Sequence, residues 1–202
     1  MGSKTRDFLK NGNSDFNNIL DSILVKDEQS GLTAGTGITG GTDTVYKSWR
    51  IHNGTIIQTF IYIDMDGLIG AGAAKDVIGK VGTANCHLGQ IGNTSICGTL
   101  FAGRMTCLET PGAGEPDIDL YASNVATGTE NVAYDHSDMG TETALLTAGQ
   151  DWAAGLSANQ YNTAGFTGLP NANDYLYMTK GANASTTEYS AGKFLIELFG
   201  TA

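Results

Sequence analysis

The most apolar stretch of the chain is TIIQTFIYIDM, residues 55–65. Side chains of a strand alternate between its two faces. One face would therefore carry Ile57, Ile61, Ile63 and Met65 with Thr59, and the other Ile56, Phe60 and Tyr62 with Gln58 and Asp64. A strand that is apolar on both faces needs cover on both. We expect the isoleucine face to pack in the core, and the Phe60 and Tyr62 face to be covered by a second layer or another subunit.

The neighbouring pattern predicts an all-β fold. The alternating run VYKSWRI and the turn signal His52–Gly54 precede this stretch, which indicates a hairpin. Further strands are predicted at NCHLGQI, GTLFAGRMTCLET, PDIDLYAS, DYLYMTK and GKFLIELFG. TETALLTAGQDWAAG fits either a short helix or a strand with a loop. Short strands separated by Gly, Asn and Pro turns are typical of a β-sandwich or jelly-roll-like domain, which we place at residues 45–202.

Residues 1–44 read as an N-terminal arm and linker. A stripe at helical spacing predicts a short helix in the arm, formed by Phe16, Ile19, Leu20, Ile23 and Leu24. An isolated helix of this length is marginal in water. We therefore expect it to dock on its own domain, a sister subunit or a partner. The Gly- and Thr-rich stretch 30–44 is interpreted as a flexible or extended linker.

Composition narrows the classes of partner. The 202 residues include 11 Lys and Arg against 21 Asp and Glu, a formal net charge of -10. Such a chain is repelled by nucleic-acid phosphates and by anionic membranes. No apolar run approaches the ~20 residues that span a bilayer, and the N-terminus lacks the apolar core of a signal peptide, so synthesis in a cytoplasm is expected. Cys86, Cys97 and Cys107 are interpreted as buried free thiols.

Two carboxylate pairs are the main candidates for chemistry. Asp64 and Asp66 follow the apolar strand, and we interpret them as its solvent end, with Gly67 turning the chain. Asp117 and Asp119 are assigned to the solvated face of an ordinary strand. A hydrolase that uses these four carboxylates ranks last, because no partner residue completes a site. Catalysis by Cys107 with His136 stays open as a guess.

Neither a cofactor nor a metal site is predicted. The cysteine and histidine spacings do not match a zinc site, and no phosphate-binding loop occurs. The aromatic residues Trp152, Tyr175, Tyr177 and Tyr189 fit either a sugar-stacking platform or core and interface anchors.

Several sequence segments, taken in order, resemble those of a known family. They are GITGGTDTVYKS, the strand ending DMDGL, VIGKVGTANCHLGQI, GTLFAGRMTCLETPGAGEPDIDLY, ETALLTAG, LPNANDYLYMTKG and YSAGKFLIELFG. Together they resemble an uncharacterised group of virion structural proteins from marine tailed bacteriophages. The resemblance covers roughly residue 37 to the C-terminus and includes no catalytic signature.

The resemblance implies a non-enzymatic virion protein that is made in the host cytoplasm. A major shell protein is excluded, because no segment is long and periodic enough for its spine helix. We expect a capsid decoration protein that binds the major capsid protein as a homo-oligomer, with a trimer favoured. The predicted interface residues are Phe16, Ile19, Leu20, Ile23, Leu24, Phe60 and Tyr62. The alternative is a head-fibre or tail component with a lectin-like face for host-surface glycans.

Overall fold

The structure is a computed structural model that describes residues 29–70, 72–92, 94–155, 160–181 and 184–202, with only the backbone of 160–161. Its described strands are β1 Gln29–Ser30, β2 Val45–Asn53, β3 Ile56–Asp64, β4 His87–Gln90, β5 Thr99–Gly112, β6 Ile118–Ser123, β7 Glu142–Leu146, β8 Asp151–Trp152, β9 Gln160–Tyr161, β10 Thr163–Gly165, β11 Tyr175–Lys180 and β12 Ala191–Thr201. The described helices are α1, Thr36–Thr39, and a 3₁₀ turn at Ser137–Met139.

The strands form two antiparallel sheets that enclose a common core. One sheet has six strands in the order β1-β2-β3-β12-β5-β10, and the other has four in the order β4-β11-β6-β7. A separate short pair joins β8 to β9 in parallel. The arrangement confirms the predicted all-β, sandwich-like fold. It also resolves TETALLTAGQDWAAG, whose first part is strand β7 followed by a loop.

The hairpin that the sequence predicts is formed by β2 and β3. They pair from Val45 with Asp64 to Asn53 with Ile56. Gly54 turns the chain with a φ of 64°, a conformation that favours glycine. The C-terminal strand β12 then lies between β3 and β5 and pairs with both along its length. The strand predicted at GKFLIELFG is thus an inner strand of this sheet.

The main core lies between the inner faces of the two sheets. The six-stranded sheet contributes Ile61, Ile63, Met105, Phe194, Ile196 and Leu198, and the four-stranded sheet contributes Ile118, Leu120, Ala122, Leu176 and Met178. All of these are fully buried. Burying each such side chain contributes roughly 1.5–3 kcal/mol relative to leaving it exposed. The predicted core face of β3 is confirmed, since Ile57, Ile61, Ile63 and Met65 are all buried.

The stretch 30–44, which the sequence predicts to be a flexible or extended linker, packs against the domain. Leu32 is 6% exposed and Ile38 is fully buried, and both belong to the main core. The backbone N–H groups of Gly35 and Gly37 donate to His87 and Asn85. Leu32 and Ile38 thus anchor the segment to the domain. The high Gly and Thr content of the segment hides this packing from an analysis of the sequence. The predicted arm helix lies outside the described residues.

Long connections cover the outer face of the four-stranded sheet. A second cluster joins Val77, Cys86 and Met139 from the loops to Tyr177 of β11. The Tyr177 hydroxyl donates to Val125 O at 2.5 Å and accepts from Gly128 N at 3.2 Å. This sheet is therefore covered on both sides along β6 and β11, whose residues are almost all buried.

Candidate functional site

The outer face of the six-stranded sheet is the candidate interaction surface, and we call it the open face. Strand register places its side chains in rows across β2, β3, β12 and β5. The rows are Val45-Asp64-Lys193-Glu109, Lys47-Tyr62-Leu195-Thr106, Trp49-Phe60-Glu197-Arg104, Ile51-Gln58-Phe199-Ala102 and Asn53-Ile56-Thr201-Thr99. The middle row thus combines an aromatic pair on β2 and β3 with a charged pair on β12 and β5.

Aromatic stacking organises the centre of the open face. The rings of Trp49 and Phe60 lie parallel, with an interplanar angle of 8° and centroids 5.1 Å apart. Such cross-strand aromatic pairs stabilise a sheet by about 0.5–1.5 kcal/mol beyond their buried area. Trp49, Phe60 and the neighbouring Tyr62 are nevertheless only half-buried. Their remaining surface is available to another molecule.

Further apolar side chains of the open face remain exposed. Ile51 is 36% exposed and Ile56 is 38% exposed, and at its β5 side Phe101 reaches 52% and Leu108 48%. Single exposed apolar residues are ordinary, but contiguous ones mark interaction sites. Ile51 follows Trp49 on the same face of β2 and extends the aromatic centre, whereas Phe101 and Leu108 lie three strands away on β5.

Ion pairs hold the polar side chains of the open face. Arg104 binds Glu197 through two nitrogens, one of them at 2.9 Å, and Gln58 donates to the same carboxylate at 3.3 Å. Lys193 lies between Glu109 and Asp64 and is 3.5 Å from the latter. The hydrogen bond to Lys193 lowers the pKa of Glu109. These bonds fix the charged side chains in the plane of the sheet.

Charge on the open face is balanced, unlike charge in the chain. The rows contain three cations, Lys47, Arg104 and Lys193, and three carboxylates, Asp64, Glu109 and Glu197. The chain as a whole has 11 cations and 21 carboxylates. A net charge of this size repels another copy of the chain. That repulsion is smallest where the local charge cancels, so the open face is suited to self-association.

Of the predicted interface residues, Phe60 and Tyr62 lie together on the open face. Within the part of the chain that the structure describes they are only half-buried, so no second layer closes over them. Cover by another subunit remains a prediction. The stripe Phe16, Ile19, Leu20, Ile23 and Leu24 lies outside the described residues. Sequence reasoning missed Trp49 and Leu195 as members of this surface, although the alternation of β2 and β12 contained the signal.

Asp64 and Asp66 lie where the sequence predicts, at the end of a strand. Strand β3 ends at Asp64, and Gly67 turns the chain with a φ of 80°. The Asp64 carboxylate accepts from the backbone N–H of Asp66 at 3.4 Å and pairs with Lys193. The Asp64 carboxylate therefore stabilises the turn through a backbone hydrogen bond and the open face through an ion pair.

The prediction for Asp117 and Asp119 is wrong, because their face of β6 is not solvated. Asp117 is 4% exposed and Asp119 is 7% exposed. They line a cleft of about 240 Å³, together with Lys75, Tyr121, Tyr134, Thr147, Gly149 and Gly181. The loops that cover the four-stranded sheet bury this face, and their contacts are not encoded in the local alternation of PDIDLYAS.

The cleft perturbs one of its carboxyl groups. Burial, with a smaller contribution from nearby Asp117, raises the pKa of Asp119 from 3.8 to about 6, and the Ala148 N–H that donates to it at 2.7 Å acts in the opposite sense. Beside it the Tyr121 and Tyr134 rings stack with centroids 3.6 Å apart, and Lys75 lies 5.4 Å from the Tyr134 ring. Perturbed carboxyl groups occur at functional sites and in buried structural networks alike.

The cysteines and the aromatic residues are more deeply buried than a catalytic or sugar-stacking role requires. The three thiols are free and buried, as predicted, and burial raises the pKa of Cys107 to about 11, away from a reactive thiolate. Trp152, Tyr177 and Tyr189 are at most 1% exposed, so they cannot form a sugar-stacking platform. Tyr175 alone of those four side chains is partly exposed.

Lys180 is a buried cation that the sequence did not reveal. It is fully buried, and its ammonium donates to Ser185 O at 2.9 Å. Burial lowers its pKa, while the carboxylates of Asp76, Glu115 and Glu130 act in the opposite direction. The sequence predicts DYLYMTK as a strand, which β11 confirms, but it does not show that the lysine at the end of this strand is enclosed.

The described residues contain no group of three or more His, Cys, Asp or Glu side chains arranged to hold a metal ion. None of the helices in the described ranges has the length and apolarity to cross a membrane. In comparisons with protein-family models, curated proteins and solved structures, no match to this chain was found.

Proposed function

We propose that the chain is a non-enzymatic structural protein of a bacteriophage virion. In this proposal it is a capsid decoration protein that binds the major capsid protein as a homo-oligomer, with a trimer favoured. A head-fibre or tail component is the nearest alternative. The family resemblance of the sequence supports the virion assignment, and the open face supports association with other protein subunits.

The composition of the open face is the observation that supports self-association. The open face presents stacked and exposed apolar side chains around a locally neutral set of ion pairs. An isolated sheet with one solvated face normally alternates apolar inward and polar outward residues. Burial of Trp49, Phe60 and Tyr62 against a second copy would remove their remaining exposed area from water, at about 25 cal/mol per Å².

The mass of the full chain in solution tests the proposal. We expect an oligomer, with three times the 21.1 kDa of one chain as the favoured mass. Phe60→Asp places a charge at the centre of the open face and should shift the mass toward that of one chain. Analytical ultracentrifugation over a range of protein concentrations measures both.

Val81→Asp is the matched control. Val81 is an exposed apolar residue, at 61%, and lies in the connection between β3 and β4, outside the open face. The same new charge there should leave the oligomer intact. A wild-type chain that stays monomeric at all concentrations, or an oligomer that survives Phe60→Asp, contradicts association through the open face.

Particle attachment tests the virion assignment separately. Electron microscopy of phage particles that carry this chain should show density for it on the capsid surface. Its location on a fibre or tail would support the alternative component, and its absence from particles would overturn the virion assignment.

A further inference from the structure

A second cavity, of about 270 Å³, lies beside the edge of the four-stranded sheet and apart from the Asp119 cleft. Strand β4 contributes His87 and Gln90, β11 contributes Tyr175, and the turn before β5 contributes Thr94 and Ser95. This volume is slightly below the range of roughly 300–1,000 Å³ that is typical of ligand sites. It is large enough for one ring of a ligand, but not for several.

The lining of this cavity is uncharged. Apart from His87, every residue lining it has a neutral side chain, in a chain whose net charge is -10. Burial lowers the pKa of His87, so its imidazole is neutral at pH 7. Arg50 donates to the Ser95 carbonyl from nearby but is not a lining residue. The Asp119 cleft, by contrast, contains Lys75 and two carboxyl groups. The lining therefore favours an uncharged ligand.

Hydrogen-bonding groups converge on the same cavity. Gln90 uses its amide nitrogen on Asn173 O, which leaves the amide oxygen to accept. Thr94 accepts from Cys97 N and retains its hydroxyl hydrogen. His87 also lines the cavity, but its Nδ1 atom is enclosed by the protein, so Gln90 and Thr94 supply the polar contacts for a ligand.

Tyr175 supplies an aromatic wall. Its ring centroid lies 4.8 Å from that of His87 at a tilt of 53°, and it remains partly exposed. An aromatic ring beside amide and hydroxyl groups matches the two sides of a sugar, its apolar C–H face and its hydroxyl rim. We propose that this cavity binds one neutral sugar ring. The site goes beyond the structural role proposed above and does not depend on it.

Saturation-transfer NMR with the full chain tests the site. The probes are the methyl glycosides of glucose, galactose and mannose, with sialic acid as an anionic comparison. We expect saturation transfer to at least one neutral glycoside and none to sialic acid. Tyr175→Leu and Gln90→Ala should each weaken binding by about tenfold, which corresponds to 1.4 kcal/mol.

Tyr134→Leu is the matched control, because Tyr134 is a partly exposed tyrosine of the other cavity. It should leave glycoside binding unchanged. If Tyr175→Leu does not fold, Gln90→Ala decides the result. Absence of saturation transfer to all three glycosides, transfer to sialic acid alone, or equal weakening by Tyr134→Leu overturns the proposal. None of these outcomes bears on the oligomer mass.

Discussion

The outer faces of the two sheets reverse the usual relation between polarity and exposure. On the four-stranded sheet, Asp119 of β6 and Asp117 just before this strand lie on the outer side, yet both are buried beneath loops. On the six-stranded sheet, β3 presents Phe60 and Tyr62 outward, yet both are partly exposed. A face predicted to meet water is covered, and a face predicted to need cover is open.

The reversal separates what alternation encodes from what it does not. Period-2 alternation fixes which side chains share a face, because a strand has only two sides. It does not determine what lies over a face. That depends on long connections such as residues 72–86 and 124–141, whose packing is set by tertiary contacts. An apolar face that the described residues leave open indicates a surface for another chain.

Removing a covered tyrosine should have the largest effect. Tyr177→Ala deletes a fully buried ring and leaves Val125 O and Gly128 N without their hydroxyl partner. We expect a loss of about 3–5 kcal/mol in the free energy of unfolding. Tyr62→Ala on the open face should cost about 1 kcal/mol under conditions where the chain is monomeric. Urea denaturation measures both, and equal losses would contradict the contrast between the faces.

Breaking the Arg104–Glu197 ion pair on the open face should have an intermediate effect on stability. Glu197 is only 5% exposed, and Arg104→Met removes the cation that binds it through two nitrogens. A buried carboxylate that loses its partner destabilises the fold. The denaturation midpoint should fall, though by less than for Tyr177→Ala. Lys75→Met breaks the pair with Asp135, in which both side chains are 48% exposed, and should leave the midpoint unchanged.

The smallest effect is a pH dependence that originates in the covered face. Because the folded-state pKa of Asp119 is raised to about 6, the fold holds this proton more tightly than the unfolded chain does. Its contribution favours folding near pH 4 and is lost as the pH rises through 6. Asp119→Asn removes this pH-dependent loss of stability. Between pH 4 and pH 7, the free energy of unfolding of the variant should rise relative to that of wild type by on the order of 1 kcal/mol, allowing for partial solvent access.

Denaturation of both proteins at the two pH values provides the comparison. A constant cost of the Asn side chain cancels in the difference, so only the titration of Asp119 contributes. If the variant and wild type differ by the same amount at pH 4 and pH 7, the carboxyl group is not desolvated and the cleft is more open than described.

Much of the fold follows from the sequence because local rules decide it. The long strands, the hairpin at Gly54 and the turn at Gly67 were predicted from alternation and turn residues, whereas the short strands β1, β8, β9 and β10 were not. The composition of stretch 30–44 predicted a flexible or extended linker. It did not show that Leu32 and Ile38 pack against residues far away in the sequence. The burial of Asp119 and Lys180 was missed for the same reason, since each depends on loops far away in the chain.

The candidate surface was predicted only in part. Phe60 and Tyr62 were identified because β3 is apolar on both sides. Trp49 was missed although the alternation of β2 contained its signal, and only the strand register shows that it pairs with Phe60. The sugar cavity could not be predicted, because its lining comes from three separate segments. The partner that covers the open face is still a prediction.

Trp49 offers the most direct test of the claim that another copy covers the open face. Trp49 lies half-buried on that face, and the fully buried Trp152 can be replaced by Phe to leave one emitting indole. Acrylamide quenching of Trp49 is then measured while the protein is diluted through its association range. We predict weak quenching at high protein concentration and strong quenching after dilution. Quenching that does not change with concentration, whether strong or weak, would contradict the account.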